Sequence, residues 1–164
     1  MAHPAVRIEQ AVAAYGYDAV VDSMLNLLDG ELPGLGLAVF GGSQGKGWKP
    51  YWLPVWGARC GLYLWREDCA ESIIGNLRHE HWRVREMCAK VCRYRQIGVT
   101  ELPELLVDPV PRVRMAAARA LGEVGEAEHA EGLHAMLSSP EPAQREAAKR
   151  ALSGLEARLD RRFD

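Results

Sequence analysis

An internal repeat governs this chain. Laid over "PRVRMAAARALGE" (residues 111–123), the segment "WRVREMCAKVCRY" (82–94) matches at a shift of 29 residues. Arg83, Val84 and Arg85 fall on Arg112, Val113 and Arg114, while Val91 and Cys92 fall on Ala120 and Leu121. A second shift, of 31 residues, brings Arg114 onto Arg145, Ala116 and Ala117 onto Ala147 and Ala148, and Ala120 and Leu121 onto Ala151 and Leu152. The preceding segments keep the same register, with Ile73, Asn76 and Leu77 on Leu102, Leu105 and Leu106, then on Leu133, Met136 and Leu137. A further 29-residue step towards the N-terminus puts Ala58, Leu62 and Tyr63 under Met87, Val91 and Cys92. Such a period belongs to stacked supersecondary units, none of which can bury its apolar faces alone.

Each unit reads as two helices. The first has apolar positions at i, i+3 and i+4, as in Leu102, Leu105 and Leu106. A break follows, "DPVP" in the clearest copy, with prolines suited to the first turn of the next helix. The second helix carries Ala116, Ala117, Ala120 and Leu121 on one face, and "GEVG" (122–125) closes it.

The stretch "LLVDPVPRVRMAAARALGEVG" (105–125) resembles a HEAT repeat of the short, bilin-lyase-like type, and the resemblance covers residues 54–155. It implies an all-α solenoid of about 3.5 short helical hairpins. In that family an aspartate in the turn and an arginine early in the second helix bond across neighbouring repeats. Asp108 and Arg114 stand at those positions as a structural inter-repeat pair, and His79 and Ser139 replace the aspartate in the flanking units. Residues 1–53 do not match; they carry helical patterns over 6–14 and 19–28. The expected organisation is a helical N-terminal extension with a glycine-rich connector over 1–47 and a repeat array over 48–164, one compact domain overall.

The connector, "GGSQGKG" (41–47), invites comparison with a phosphate-binding loop. That loop needs four residues between its first glycine and Gly-Lys, then a Ser or Thr hydroxyl for magnesium, then a helix. Here three residues intervene between Gly41 and Gly45, Gly47 stands in the hydroxyl position, and Pro50 follows closely. No nucleotide role is expected for Lys46.

A net charge of −2 advertises no general affinity for nucleic acid, and 48% apolar with 26% charged residues is a globular profile. The longest apolar runs are too short to span a bilayer and "MAHPAVRIEQ" lacks a secretion-signal pattern, so the expected location is the cytoplasm, away from membranes. There Cys60, Cys69, Cys88 and Cys92 should be reduced. Cys88 and Cys92 fall on Ala117 and Leu121 in the repeat, which makes them core residues rather than zinc ligands.

Candidate chemistry is sparse. HEAT-built deoxyhypusine hydroxylases hold iron with several His-Glu pairs; this chain has the single pair His79-Glu80. His129 and His134 are five apart and do not converge on one helix face. No nucleophile–base pair stands out, and no cofactor or metal is expected. Chromophore attachment is implied only by the bilin-lyase resemblance, and a shared fold does not settle function. HEAT-like DNA glycosylases offer another reading, since Arg83, Lys90 and Arg119 could line a basic concave face for duplex DNA. The pairs Glu86–Lys90 and Glu146–Arg150, at i,i+4, argue instead for a solvated face.

All five tryptophans lie between Trp48 and Trp82. The helix expected near Pro54 places Gly57, Gly61 and Leu64 where later repeats place Glu86, Lys90 and Arg93. Such an uncharged stripe calls for a cover, either the N-terminal extension or another chain. The expected function is a non-enzymatic protein-binding or adaptor module. Its candidate contact residues are Trp52, Trp56, Gly57, Gly61, Leu64, Trp65, Trp82, Arg83, Lys90 and Arg119, with a protein as partner and neither a nucleotide nor a membrane.

Overall fold

The computed structural model describes residues 3–41 and 48–163. The sequence reading of residues 42–47, Lys46 included, lies outside them. The described residues hold helices and no strand: α1 (Pro4–Tyr15), α2 (Tyr17–Leu28), α3 (Trp52–Cys60), α4 (Cys69–Gly75), α5 (Trp82–Arg95), α6 (Pro111–Val124), α7 (Ala130–Met136) and α8 (Pro142–Leu159). Short 3-10 turns lie at Leu37–Phe40, Asn76–Arg78, Leu102–Val107 and Ala127–His129. The chain divides into two compact units, Met1–Val91 and Cys92–Asp164. The division falls within α5, inside the repeat array, whereas the sequence places its boundary between residues 47 and 48.

In the first unit α1 and α2 form a hairpin hinged at Gly16, whose φ of +85° suits glycine. Its α2 buries Val20, Val21, Met24, Leu27 and Leu28 and lies directly on α3. A Cβ at Gly57 would come within 2.9 Å of Leu28 N, Met24 O and Leu27 Cβ, so only glycine admits this approach of two backbones. At Gly61 a Cβ would lie 3.0 Å from Val91 Cγ1 and 3.6 Å from Met24 Cε. Helix α2 therefore covers Gly57, while Gly61 is closed in by Val91 and Met24. Polar contacts hold the same junction. The Tyr17 hydroxyl donates to Trp65 O (2.5 Å) and accepts from Trp65 N (2.8 Å). Arg66 donates to Asp68 (2.7 Å), Asp22 (2.7 Å) and Asp18 (3.2 Å), which raises its own pKa and lowers that of Asp68.

The stripe itself differs from the expected helix face. Its helix ends at Cys60, and Leu64 follows in a turn closed by its own N–H to Cys60 O at 3.1 Å. The backward extension of the repeat register fails at the same place, for Tyr63 is exposed where Cys92 is fully buried.

In the second unit the repeat is plain. The segment Leu102–Val107 precedes α6, and α7 precedes α8. Pro111 and Pro142 occupy the first turns of α6 and α8. Helices α6 and α8 pack closely, since a Cβ at Gly122 would lie 2.7 Å from Ala151 Cα. Gly125 ends α6 for reasons of space: its φ is −69°, and a Cβ there would collide with Leu121 O. All four cysteines are buried, and burial pushes the Cys60 and Cys92 thiols up to about 12. These are core side chains.

Candidate functional site

Two helix starts meet in the first unit. The dipeptides Tyr51-Trp52 and His81-Trp82 open α3 and α5. At the second start, His79 Nδ1 accepts from His81 N (2.9 Å) and His81 Nδ1 accepts from Arg83 N (3.3 Å), an imidazole version of an N-cap. The His81 ring stacks on Tyr51 with centroids 3.5 Å apart and planes 8° apart. Tyr51 lies against Trp52 at 5.2 Å, Trp52 is stacked with Trp56 at 6.1 Å, and His81 with Trp82 at 6.1 Å. The Arg83 guanidinium sits 4.5 Å from the Trp82 ring centroid and 5.3 Å from that of Trp52.

Tyr51, Trp52, His81, Trp82 and Arg83 are all half-buried, so each keeps part of its surface open to solvent. Arg83 has no carboxylate partner among the described residues. Desolvation lowers the pKa of His81, with the charges of Arg83, His79 and Arg85 adding to it, and desolvation likewise lowers that of His79. Flat faces and one fixed guanidinium equip this surface for stacking and for donating hydrogen bonds.

Of the sequence candidates, Trp52, Trp82 and Arg83 come together, with Trp56 at the inner edge and 9% exposed. Gly57, Gly61 and Leu64 do not belong to a surface. They are buried, which removes them from the candidate contacts: α2 presses on Gly57, Val91 and Met24 close on Gly61, and Leu64 is 3% exposed. The backbone of Trp65 is bracketed by the Tyr17 hydroxyl. Lys90 is tied to Glu86 at 2.8 Å, and Glu86 is 8% exposed rather than part of a solvated face. Arg119 belongs to the second unit, where it lines a depression of about 270 Å³ with Arg93 and Arg150. Arg93 is paired with Glu123 and Arg150 with Glu146, leaving Arg119 with no carboxylate among the described residues. Tyr51 and His81 were missed; the signal for them is the aromatic residue directly ahead of tryptophan at each of the two helix starts.

The inter-repeat pair is rearranged. Arg114 Nη1 donates to the backbone carbonyl of Asp108 (2.5 Å) within its own hairpin, and Nε reaches into α8 to Gln144 Oε1 (2.7 Å). The Asp108 carboxylate accepts from Val110 N (2.8 Å), shaping the turn. Arg85 and Arg145 repeat the carbonyl contact, Arg85 to His79 O and Glu80 O, Arg145 to Ser139 O and Pro140 O, all at 2.8–2.9 Å. An arginine aimed at main-chain carbonyls needs no particular side chain in the turn. His79 and Ser139 are accepted there for that reason.

No curated protein matches the chain significantly. A family model described as HEAT repeats matches residues 70–153, just over half of the chain, starting beyond α3 where the repeat register breaks. With three arginines holding three hairpin turns alike and that match across them, the chain belongs to the HEAT-repeat family.

Proposed function

We propose that this protein is a non-enzymatic binding module, an adaptor that docks a partner protein through Trp52, Trp82 and Arg83, with Tyr51 and His81 supporting them. The reading rests on one observation: a guanidinium with no carboxylate partner among the described residues, within 5.3 Å of two half-buried indoles. Trp, Tyr and Arg dominate binding hot spots because they bring large contact area with few rotors and directed hydrogen bonds. Contact with both rings limits the freedom of Arg83 before a partner arrives, which lowers the entropy lost on binding. HEAT repeats commonly serve protein interaction, and this supports the same reading.

The test compares the full chain with Arg83→Gln and Trp82→Ala as baits in the source cell lysate. A partner retained by the parent and lost by both variants is then purified and titrated by calorimetry. The expected loss is about 2 kcal/mol or more for either variant, the size of a hot-spot truncation. Equal retention by well-folded variants would reduce the cluster to a staple between helix starts.

Duplex DNA is the second reading, favoured by Arg119 beside Arg93 and Arg150. The glutamates on Arg93 and Arg150 weigh against it.

A further inference from the structure

The second unit carries a groove of about 380 Å³ with no counterpart in the aromatic cluster. One wall is Pro103, Leu106 and Val107; the other is α7, through Gly132, Ala135 and Met136. Val107 is 84% exposed, the most exposed of the large apolar side chains among the described residues, whereas Leu106 and Met136 are buried. Gly132 lets the walls close in, since a Cβ there would lie 2.7 Å from Leu106 Cδ1.

Charge says what kind of occupant suits this groove. Residues 125–141, which supply the α7 wall, contain neither lysine nor arginine. They contain Glu126, Glu128, Glu131 and Glu141, all exposed and none ion-paired among the described residues. Glu128 lines the groove directly. The inner end holds Arg114, whose Nε and Nη1 are committed to Gln144 and Asp108. An apolar floor beside an unneutralised acidic wall repels acidic ligands and anionic lipid, and it complements a segment that combines apolar anchors with lysine or arginine.

We propose that this groove docks a basic, apolar-anchored segment of a partner protein, with Val107, Leu106 and Met136 receiving the anchors and Glu128 and Glu131 facing the positive charges. The proposal does not depend on the aromatic cluster.

The test uses the full chain and three fluorescein-labelled synthetic peptides followed by anisotropy: leucine and lysine at helical spacing, leucine and glutamate at the same spacing, and lysine with serine in place of leucine. The leucine–lysine peptide is expected to bind saturably with Kd on the order of micromolar, and the other two at least about tenfold more weakly. Val107→Ser and the double variant Glu128→Lys, Glu131→Lys change exposed positions, and each should weaken that binding about tenfold. Arg83→Gln should leave it unchanged. Three results would overturn the proposal: no binding of the leucine–lysine peptide, equal binding of the lysine–serine peptide, or indifference to the groove variants. Loss with Arg83→Gln but not with Val107→Ser would also sink it, placing basic segments on the aromatic cluster instead.

Discussion

Arg114 and Gln144 join the last two repeats through a single 2.7 Å hydrogen bond from Nε to Oε1. Gln144 is 2% exposed and occupies the register of Val113 in the preceding repeat, a polar side chain in an apolar column. Its burial is tolerable because a charged donor meets it.

The pair predicts strong coupling. Arg114→Ala should cost about 1–3 kcal/mol, because it strands a buried amide and frees the carbonyl of Asp108. At roughly 2–4 °C per kcal/mol for a chain of this size, the melting temperature should fall by several degrees. Gln144→Val restores the apolar column but strands Arg114 Nε. In a double-mutant cycle the coupling should be at least about 0.5 kcal/mol. Additive losses would show that the bond contributes nothing of its own.

Close backbone approach at Gly57 makes a second prediction. Gly57→Ala puts a methyl 2.9 Å from main-chain atoms of α2, which cannot rotate away, so a loss of about 1–3 kcal/mol is expected. Gly75, in α4, has nothing within 4 Å of its would-be Cβ. Gly75→Ala should therefore gain up to about 1 kcal/mol from helix propensity. Chemical denaturation of both variants measures the contrast; equal effects would mean that α2 does not press on α3 in solution.

The histidines at the start of α5 should make stability fall in mild acid. Both His79 and His81 titrate below the ordinary 6.5 in the folded chain, chiefly through burial. Above that value they are neutral in folded and unfolded chains alike. As pH drops through 6.5 the unfolded chain binds protons that the folded chain takes up only at lower pH, so stability is lost in that window. Asp68, depressed from 3.8, adds its own loss only in stronger acid. Melting temperatures between about pH 7.5 and 5 should decline, and less steeply in His79→Gln, His81→Gln. Parallel profiles for the two proteins would contradict this.

Duplex DNA should bind weakly at physiological salt. Arg93 and Arg150 are matched by Glu123 and Glu146, which leaves Arg119 as the unmatched charge in their depression. Few released counterions mean a shallow salt dependence, of slope about −1 in a log–log plot. Submicromolar binding near 150 mM salt, abolished by Arg119→Glu, would put the nucleic-acid reading first.

Periodicity alone determined much of this protein. Apolar spacing at 102, 105 and 106 and at 116, 117, 120 and 121 marked the hairpins, their breaks and the burial of Cys88 and Cys92, because a helix face must recur every 3.6 residues to be buried. The starts of α6 and α8, at Pro111 and Pro142, were legible for an equally local reason. Contacts distant in sequence were not. Pattern asks for a cover over Gly57 and Gly61, yet only packing reveals Leu27, Leu28 and Met24 as that cover. The partner of Arg114 lies 30 residues away at a position where the repeat had apolar residues, and its bond in the turn goes to a carbonyl, which every residue carries. Tyr51 and His81 are likewise 30 residues apart and have no motif to announce them. Sequence spacing encodes which face a residue takes on its own helix; which residue faces it is decided by how the helices stack.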